Sequence, residues 1–303
     1  MLPASRLRRC YRPAGAAVCL LYTAIQASGA TKQFNPFALE SNMAAPDVVW
    51  KGGRFGNTSR RDAWWASPAA VFLGFGAFIL YATWAAFQNA NYTYGNYISP
   101  FYSPEIFGDS PHALLGPKPH WFPGFLPFSP AFLILWIPGG FRLTCYYYRG
   151  AYYKAFWADP PACAVGEPRK TYLGERSFPL ILQNFHRNFL RLSYLIWGFL
   201  AYDAVKSFLF PNGFGIGIGS IVLVVNVVLL AGYIFGCHAF RHLVGGTLDQ
   251  ISEHPARHKL YDCVSCLNRG HKRWAWASLF WVAFSDIYVR LCSMGIWHDW
   301  RIL

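Results

Sequence analysis

The chain has 303 residues, of which 54% are hydrophobic, 19% aromatic and only 14% charged, against about 25% charged in soluble domains. Its 27 Lys and Arg outnumber 14 Asp and Glu. These cations cluster in loops beside long apolar stretches, so membrane orientation explains them and a nucleic-acid partner is excluded.

Residues 1–30 look like a signal peptide. Arg6, Arg8, Arg9 and Arg12 precede a short apolar run that ends near Ala27-Ser28-Gly29-Ala30. Cleavage there would put Arg54, Arg60 and Arg61 outside, against the charge rule. An over-extended start is more economical, with Met43 as the expected first residue. Residues 1–60 are therefore expected to be a poorly ordered extension, and 61–303 a transmembrane domain.

A bilayer core needs about 20 apolar residues per helix. Five stretches qualify, over about 68–87, 129–147, 189–210, 217–238 and 273–295. Pro138-Gly139-Gly140 predicts a kink in the second. The expected fold is all-α, a polytopic membrane bundle of about five helices with long interfacial loops. Lys and Arg before the first helix and in the second-to-third and fourth-to-fifth loops place those segments in the cytoplasm and the C-terminus outside. Localisation in the cell inner (cytoplasmic) membrane follows. Residues 89–128 form a long outer loop rich in Pro, Tyr and Phe, expected to fold over the helix ends. The inner loop 150–188 is similarly long, and loops of that length are often functional.

That orientation gives every ligand-type residue a depth. Cys145, His186, Cys237, His238, His242 and His271 fall at helix ends on the cytoplasmic side, with Cys163 in a loop there. Thiols stay reduced on that side, so ligands or core cysteines are better readings than disulfides. His238 and His242, four apart, share a helical face. Alone, such a pair reads better as interfacial histidines on lipid phosphate or loop carbonyls. The convergence of four helix ends shifts the balance towards an electron-transfer centre. A Rieske-type [2Fe-2S] cluster takes two Cys and two His. Haem b would want two His deeper in facing helices, and no His lies near the middle of a predicted helix.

Cys263-x-x-Cys266 is half a zinc site at most, needing two further ligands such as His258 and His271. Two plain loop cysteines are the preferred reading. Asp286 and Arg290, four apart, and Asp203 and Lys206, three apart, are intramembrane ionisable pairs. They read equally as proton-exchange or second quinone-pocket groups and as self-neutralising pairs. Gly213-x-Gly215-x-Gly217-x-Gly219 follows no strand and lacks the nucleotide-loop spacing. It predicts a turn and a small-residue packing face. The aromatic tract from Tyr146 to Trp157 reads best as an interfacial helix lying flat, with a partner-docking or quinone-lining role as the rival. The chain has no flavin-binding signal, Walker motif or nucleophile elbow.

Several motifs resemble one family. They are Phe141-Arg-Leu-Thr-Cys-Tyr-Tyr-Tyr-Arg149, Pro160-Pro-Ala-Cys-Ala-Val165, Phe178-Pro-Leu-Ile-Leu-Gln-Asn-Phe-His-Arg187, Cys237-His-Ala-Phe-Arg-His-Leu-Val-Gly-Gly246 and Asp286-Ile-Tyr-Val-Arg290. Over about residues 60–303 they are similar to the actinobacterial-type, cytochrome b-like membrane anchor of succinate dehydrogenase. The resemblance implies a five-helix anchor binding the flavoprotein and iron–sulfur subunits, a small additional membrane subunit, lipid and quinone. It also implies a Rieske-like [2Fe-2S] cluster in place of haem. Succinate oxidation would then belong to another chain. Chemistry ranks Cys237, His238, His242, His186 and Cys163 first as iron ligands, with Cys145 and His271 behind. Quinone and proton candidates are Arg241, Arg187 and Tyr146, with His271. The alternatives are a haem b-binding anchor, a transporter-like membrane protein, or a purely structural docking anchor.

Overall fold

The computed structural model describes residues 54–303, except 126, 127, 170–175, 179 and 247. The signal-like stretch and Met43 lie outside the described residues. Residues 54–60, which the sequence places in the extension, pair with the loop after Cys163. Gly56 N donates to Gly166 O (3.1 Å), and Gly166 N to Asn57 O (2.8 Å).

The molecule is mostly helical. Helix α1 (Ala66–Gln88) precedes two short hairpin strands, β1 (Thr93–Tyr94) and β2 (Tyr97–Ile98). Then come α2 (Pro130–Ile134), α3 (Trp136–Leu143), α4 (Tyr146–Phe156), a 3-10 turn (Leu180–Phe185) and α5 (His186–Lys206). A second hairpin, β3 (Leu209–Phe210) with β4 (Gly213–Phe214), leads into α6 (Ile218–Phe235). The chain closes with α7 (His238–Gly245), α8 (Pro255–Arg269) and α9 (His271–Ser293).

Among the described residues two helices, α1 and α6, are long and apolar enough to cross a membrane. Helices α5 and α9 have 21 and 23 residues, but Arg187, Arg191, Asp203 and Lys206 dilute one, and Lys272, Arg273, Asp286 and Arg290 the other. The second predicted stretch is divided at Leu135. Pro138 follows by three residues and has no N–H to offer the Ile134 carbonyl, so the break falls one turn ahead of the predicted kink. Helix α1 leaves Leu73 67% and Leu80 74% exposed, an apolar surface that lipid would cover.

Helix α6 is the central element, packed against both α5 and α9. Apolar packing gains little where lipid is equally apolar, so close approach and interhelical hydrogen bonds carry more of the association. Both flanking helices supply an indole: Trp197 Nε1 donates to Val227 O and Trp281 Nε1 to Val222 O, each at 3.0 Å. Gly232 admits the Trp274 ring, which would lie 2.5 Å from an added Cβ. Gly219 admits Tyr97 equally closely, at 2.4 Å. The alternate glycines thus form a turn and a packing face, as their spacing predicts, but against expectation a strand, β3, precedes them and Gly213 lies in β4.

The loop after α1 folds back over the bundle, as expected. Tyr92 and Tyr102 stack at 4.1 Å, and the Tyr102 hydroxyl donates to Ala85 O (2.7 Å). Carboxylates, two of them buried and two half-buried, fasten this end. Asp286 accepts from Tyr81, Ser99 and Arg290 (Nε, 3.3 Å), and Asp203 accepts from Ser103. Glu105 accepts from Tyr92 (2.9 Å) and Ser110. Asp299 accepts from Tyr97 (2.8 Å), Tyr288 (2.6 Å) and Gly219 N (2.9 Å).

Candidate functional site

At the opposite end of the bundle, two predicted helices stop earlier than their apolar runs. Helix α3 ends at Leu143, and Thr144 Oγ1 turns back to Gly140 O (2.7 Å), a bond that competes with helix propagation. Helix α6 ends at Phe235. A side chain on Gly236 would meet Gly232 O at 2.5 Å. After each stop one cysteine takes an extended conformation, and a new helix starts immediately. Cys145 has φ −65°, ψ 129°, and Cys237 has φ −68°, ψ 141°. Both thiols are buried, each residue 2% exposed.

Each thiol meets an imidazole from the first residue of a long helix. Cys145 Sγ lies 3.6 Å from His271 Nε2, and Cys237 Sγ lies 3.1 Å from His186 Nε2. His186 Nδ1 reaches Thr144 Oγ1 (2.9 Å), and its ring stacks on Phe141 at 4.7 Å. His271 stacks on Tyr233 at 5.0 Å, and its Nδ1 is buried without a hydrogen-bond partner. Both imidazoles sit ahead of the apolar spans of their helices. Burial pushes each down to about 4, helped by the neighbouring His271 charge for His186 and by Arg142 and His238 for His271. Both are therefore neutral near pH 7, the form that ligates a metal.

The two pairs line a cavity of about 1450 Å³. Its wall also carries five cations, Arg60, Lys154, Arg187, Arg269 and Lys272, and among the described residues no carboxylate, although Asp62 pairs with Arg60. The start of α1 contributes Trp64 and Pro68, so the ends of all the long helical segments reach this chamber.

A family model described as actinobacterial succinate dehydrogenase subunit SdhC matches residues 66–295. The chain belongs to this SdhC family. Among solved structures, the Mycobacterium smegmatis Sdh1 complex in the apo form contains a similar chain. It is 42% identical with a TM-score of 0.75, and the match covers 81% of this chain and 94% of that one. No curated protein matches the chain.

Within this SdhC-family chain the predicted site residues separate into groups. Cys145, His271, Cys237 and His186 form the buried pairs. His238 and His242 also line the chamber, but exposed, with their Nε2 atoms 3.0 Å apart. Cys163 is exposed on the wall, and its carbonyl accepts from Arg60 (3.0 Å). Arg187 and the 75%-exposed Tyr146 lie at the mouth, and Arg149 sits over the Tyr146 ring at 5.2 Å. Arg241 is absent from the chamber wall. It turns to α8, donating to Ser265 Oγ (3.0 Å) and covering Tyr261 at 4.8 Å.

The zinc constellation does not assemble. Cys263 and Cys266 are exposed on α8, His258 pairs with Asp262 (3.7 Å), and His271 is held at Cys145. Among the described residues no group of three or more His, Cys, Asp or Glu is arranged around one metal-sized point. Sequence reasoning missed Thr144, Tyr233 and Arg142. Tyr233 is four residues before Cys237, hence on its face, and Arg142 is an arginine inside an apolar run. Both signals were readable.

Proposed function

We propose that the chain is the membrane anchor of a succinate:quinone oxidoreductase. It docks the iron–sulfur and flavoprotein subunits at the chamber end and passes electrons onward to quinone. The family membership and the similarity to a chain of an Sdh complex support the anchor role. Five spans with the chamber end in the cytoplasm fit the Lys and Arg distribution. The charged termini of α5 and α9 then sit at the interfaces, and α2 with α3 makes one broken span.

The observation that carries the electron-transfer reading is the buried double Cys–His pair facing a chamber of cations. Two thiols and two imidazoles are the donor set of a Rieske-type [2Fe-2S] cluster. Each iron of such a cluster takes two protein ligands, so a pair rather than a triad is the unit to expect. The donor chemistry therefore fits, with Cys145, His271, Cys237 and His186 as the holders. The pairing departs from the Rieske pattern, because each thiol lies beside an imidazole rather than beside the other thiol. When bound, such a cluster supplies a one-electron relay between the partner's clusters and quinone.

The chain's own groups do the rest. Phe141 and Tyr233 hold the two imidazole rings by stacking, and Thr144 fixes one of them through Nδ1. Quinone reduction also consumes two protons; Tyr146 and Arg187 on the chamber wall would orient the acceptor, and water in the open chamber would supply the protons.

Iron and succinate–dye turnover measured on the purified complex test this reading. Replacing Cys145 and Cys237 together by Ala should remove two irons per anchor and abolish quinone reduction, while dye reduction by the partner subunits persists. Unchanged iron content would refute the cluster. A Soret band lost in His186→Ala would replace it with haem b.

A further inference from the structure

Arg142, on α3, is 8% exposed inside an apolar run. A guanidinium is costly there and is normally paired. Arg290, the other buried arginine of the bundle, has Asp286. Arg142 has only neutral partners. Its Nη1 donates to the Tyr148 hydroxyl (2.7 Å) and Ala275 O (3.1 Å), and its Nη2 to Ser278 Oγ (2.9 Å). None of the described ion pairs includes it.

Its position narrows what the charge is for. The guanidinium lies 4.6 Å from the centre of the Tyr233 ring, the ring that stacks on His271. Arg142 is also three residues before Cys145, so it borders the Cys–His layer. On its other side it lines a separate apolar cavity of about 390 Å³. Water-excluded surroundings leave the charge poorly screened, which strengthens its action on nearby groups.

The charge balance of the proposed centre supplies the missing partner. Two ferric ions, two sulfides and two thiolates sum to zero when oxidised. One electron from the partner's iron–sulfur clusters leaves one negative charge. We propose that Arg142 is the counter-charge of the reduced centre, a positioning residue that raises its reduction potential without touching iron. This rests on the cluster reading above. It explains an arginine that the fold alone leaves uncompensated.

Redox titration of the purified membrane complex, followed by electron paramagnetic resonance, tests it. Arg142→Gln should lower the reduction equilibrium constant at least tenfold, a fall of about 59 mV for one electron. Ser278→Asp keeps the arginine but gives it a carboxylate, and should shift the midpoint the same way. Arg142→Lys keeps the charge and should restore most of the shift. A wild-type complex with no such centre overturns the cluster and this proposal together. A wild-type centre whose midpoint stays put in assembled Arg142→Gln or Ser278→Asp overturns the counter-charge alone. Loss of the centre in both variants with the complex intact also overturns it, because a tuning charge leaves the ligands loaded.

Discussion

Replacing Asp286 by Ala strips the bundle of its most enclosed carboxylate. Asp286 is 0% and Arg290 4% exposed. After the change Arg290 keeps only the Ala90 carbonyl (2.6 Å) and the Trp84 face (5.3 Å), and the Tyr81 and Ser99 hydroxyls lose their acceptor. Removing one partner of a buried pair costs about 3–5 kcal/mol, whereas replacing both by apolar groups is often neutral. At about 2–4 °C per kcal/mol for a domain of this size, the variant should melt about 10 °C lower. The double replacement by Leu should recover part of that loss, since it removes the unpaired charge but leaves the Tyr81 and Ser99 hydroxyls without their acceptor. Thermal denaturation of the detergent-solubilised complex measures both. Asp286 is fifteen residues beyond His271 on one helix, about 22 Å at 1.5 Å per residue, so quinone turnover per assembled complex should be unchanged. Two results would refute the clamp: an unshifted melt in Asp286→Ala, or a double variant as unstable as the single one. Lost turnover with an intact melt would instead make this a proton-exchange pair.

Further outcomes follow from the same geometry. Burial lowers both His186 and His271 to about 4, so the neutral, ligating form persists as pH falls past 6.5. Reconstitution of the iron-free complex with iron and sulfide should therefore proceed as well at pH 5.5, where an ordinary histidine would be about 90% protonated, as at pH 7; loading that falls away below pH 6.5 would refute it. Gly232→Val should lower the melting temperature by an overpacking cost of about 1–3 kcal/mol, because Trp274 occupies the space. A maleimide should label exposed Cys163, Cys263 and Cys266 quickly, and buried Cys145, Cys237 and Cys292 slowly. Replacing the three exposed thiols by Ser should leave the iron content unchanged.

Helix positions were legible wherever the apolar run was long. The stretches at 68–87 and 273–295 became Ala66–Gln88 and His271–Ser293, and that at 189–210 became His186–Lys206. Run length was misleading where a local feature ends a helix without adding polarity. Hydropathy carries the second and fourth runs straight through Cys145 and Cys237, but the first of these helices stops at the Thr144 back-bond and the second tightens at its end, where Cys237 N donates to Ile234 O. The loops at the chamber end also contain α7 and α8, whose mixed polarity gives them no membrane signal, whereas α4 falls on the aromatic tract that the sequence marks as a helix. The gathering of Cys145, His186, Cys237 and His271 followed from shared depth alone. Their partners did not, because which imidazole meets which thiol depends on helix rotation. Cys163 and Arg241 were read into the site from loop position and charge; one lies exposed on the chamber wall, and the other is engaged with α8.

The distribution of charge separates scaffold from chemistry. At the end away from the chamber, Asp286, Asp203, Glu105 and Asp299 each accept hydrogen bonds from Tyr or Ser hydroxyls. Asp286, Asp203 and Asp299 each tie a loop or tail to a helix, and Glu105 closes the loop on itself through Tyr92 and Ser110. Buried polar groups satisfied in this way rigidify a fold and leave no capacity for a ligand. The chamber end is built the other way. Among the described residues it has five cations and no carboxylate on the wall, an arginine with neutral partners beneath, and a buried imidazole nitrogen without a hydrogen-bond partner. A fold does not retain such costs for stability, since apolar replacements would be cheaper. They become reasonable if negative charge arrives there, both as electrons on a bound centre and as the surface of a docked subunit. Apart from Arg60, which pairs with Asp62, the wall cations of the chamber are free, among the described residues, to meet that charge, whereas the carboxylates at the far end are engaged in holding the scaffold.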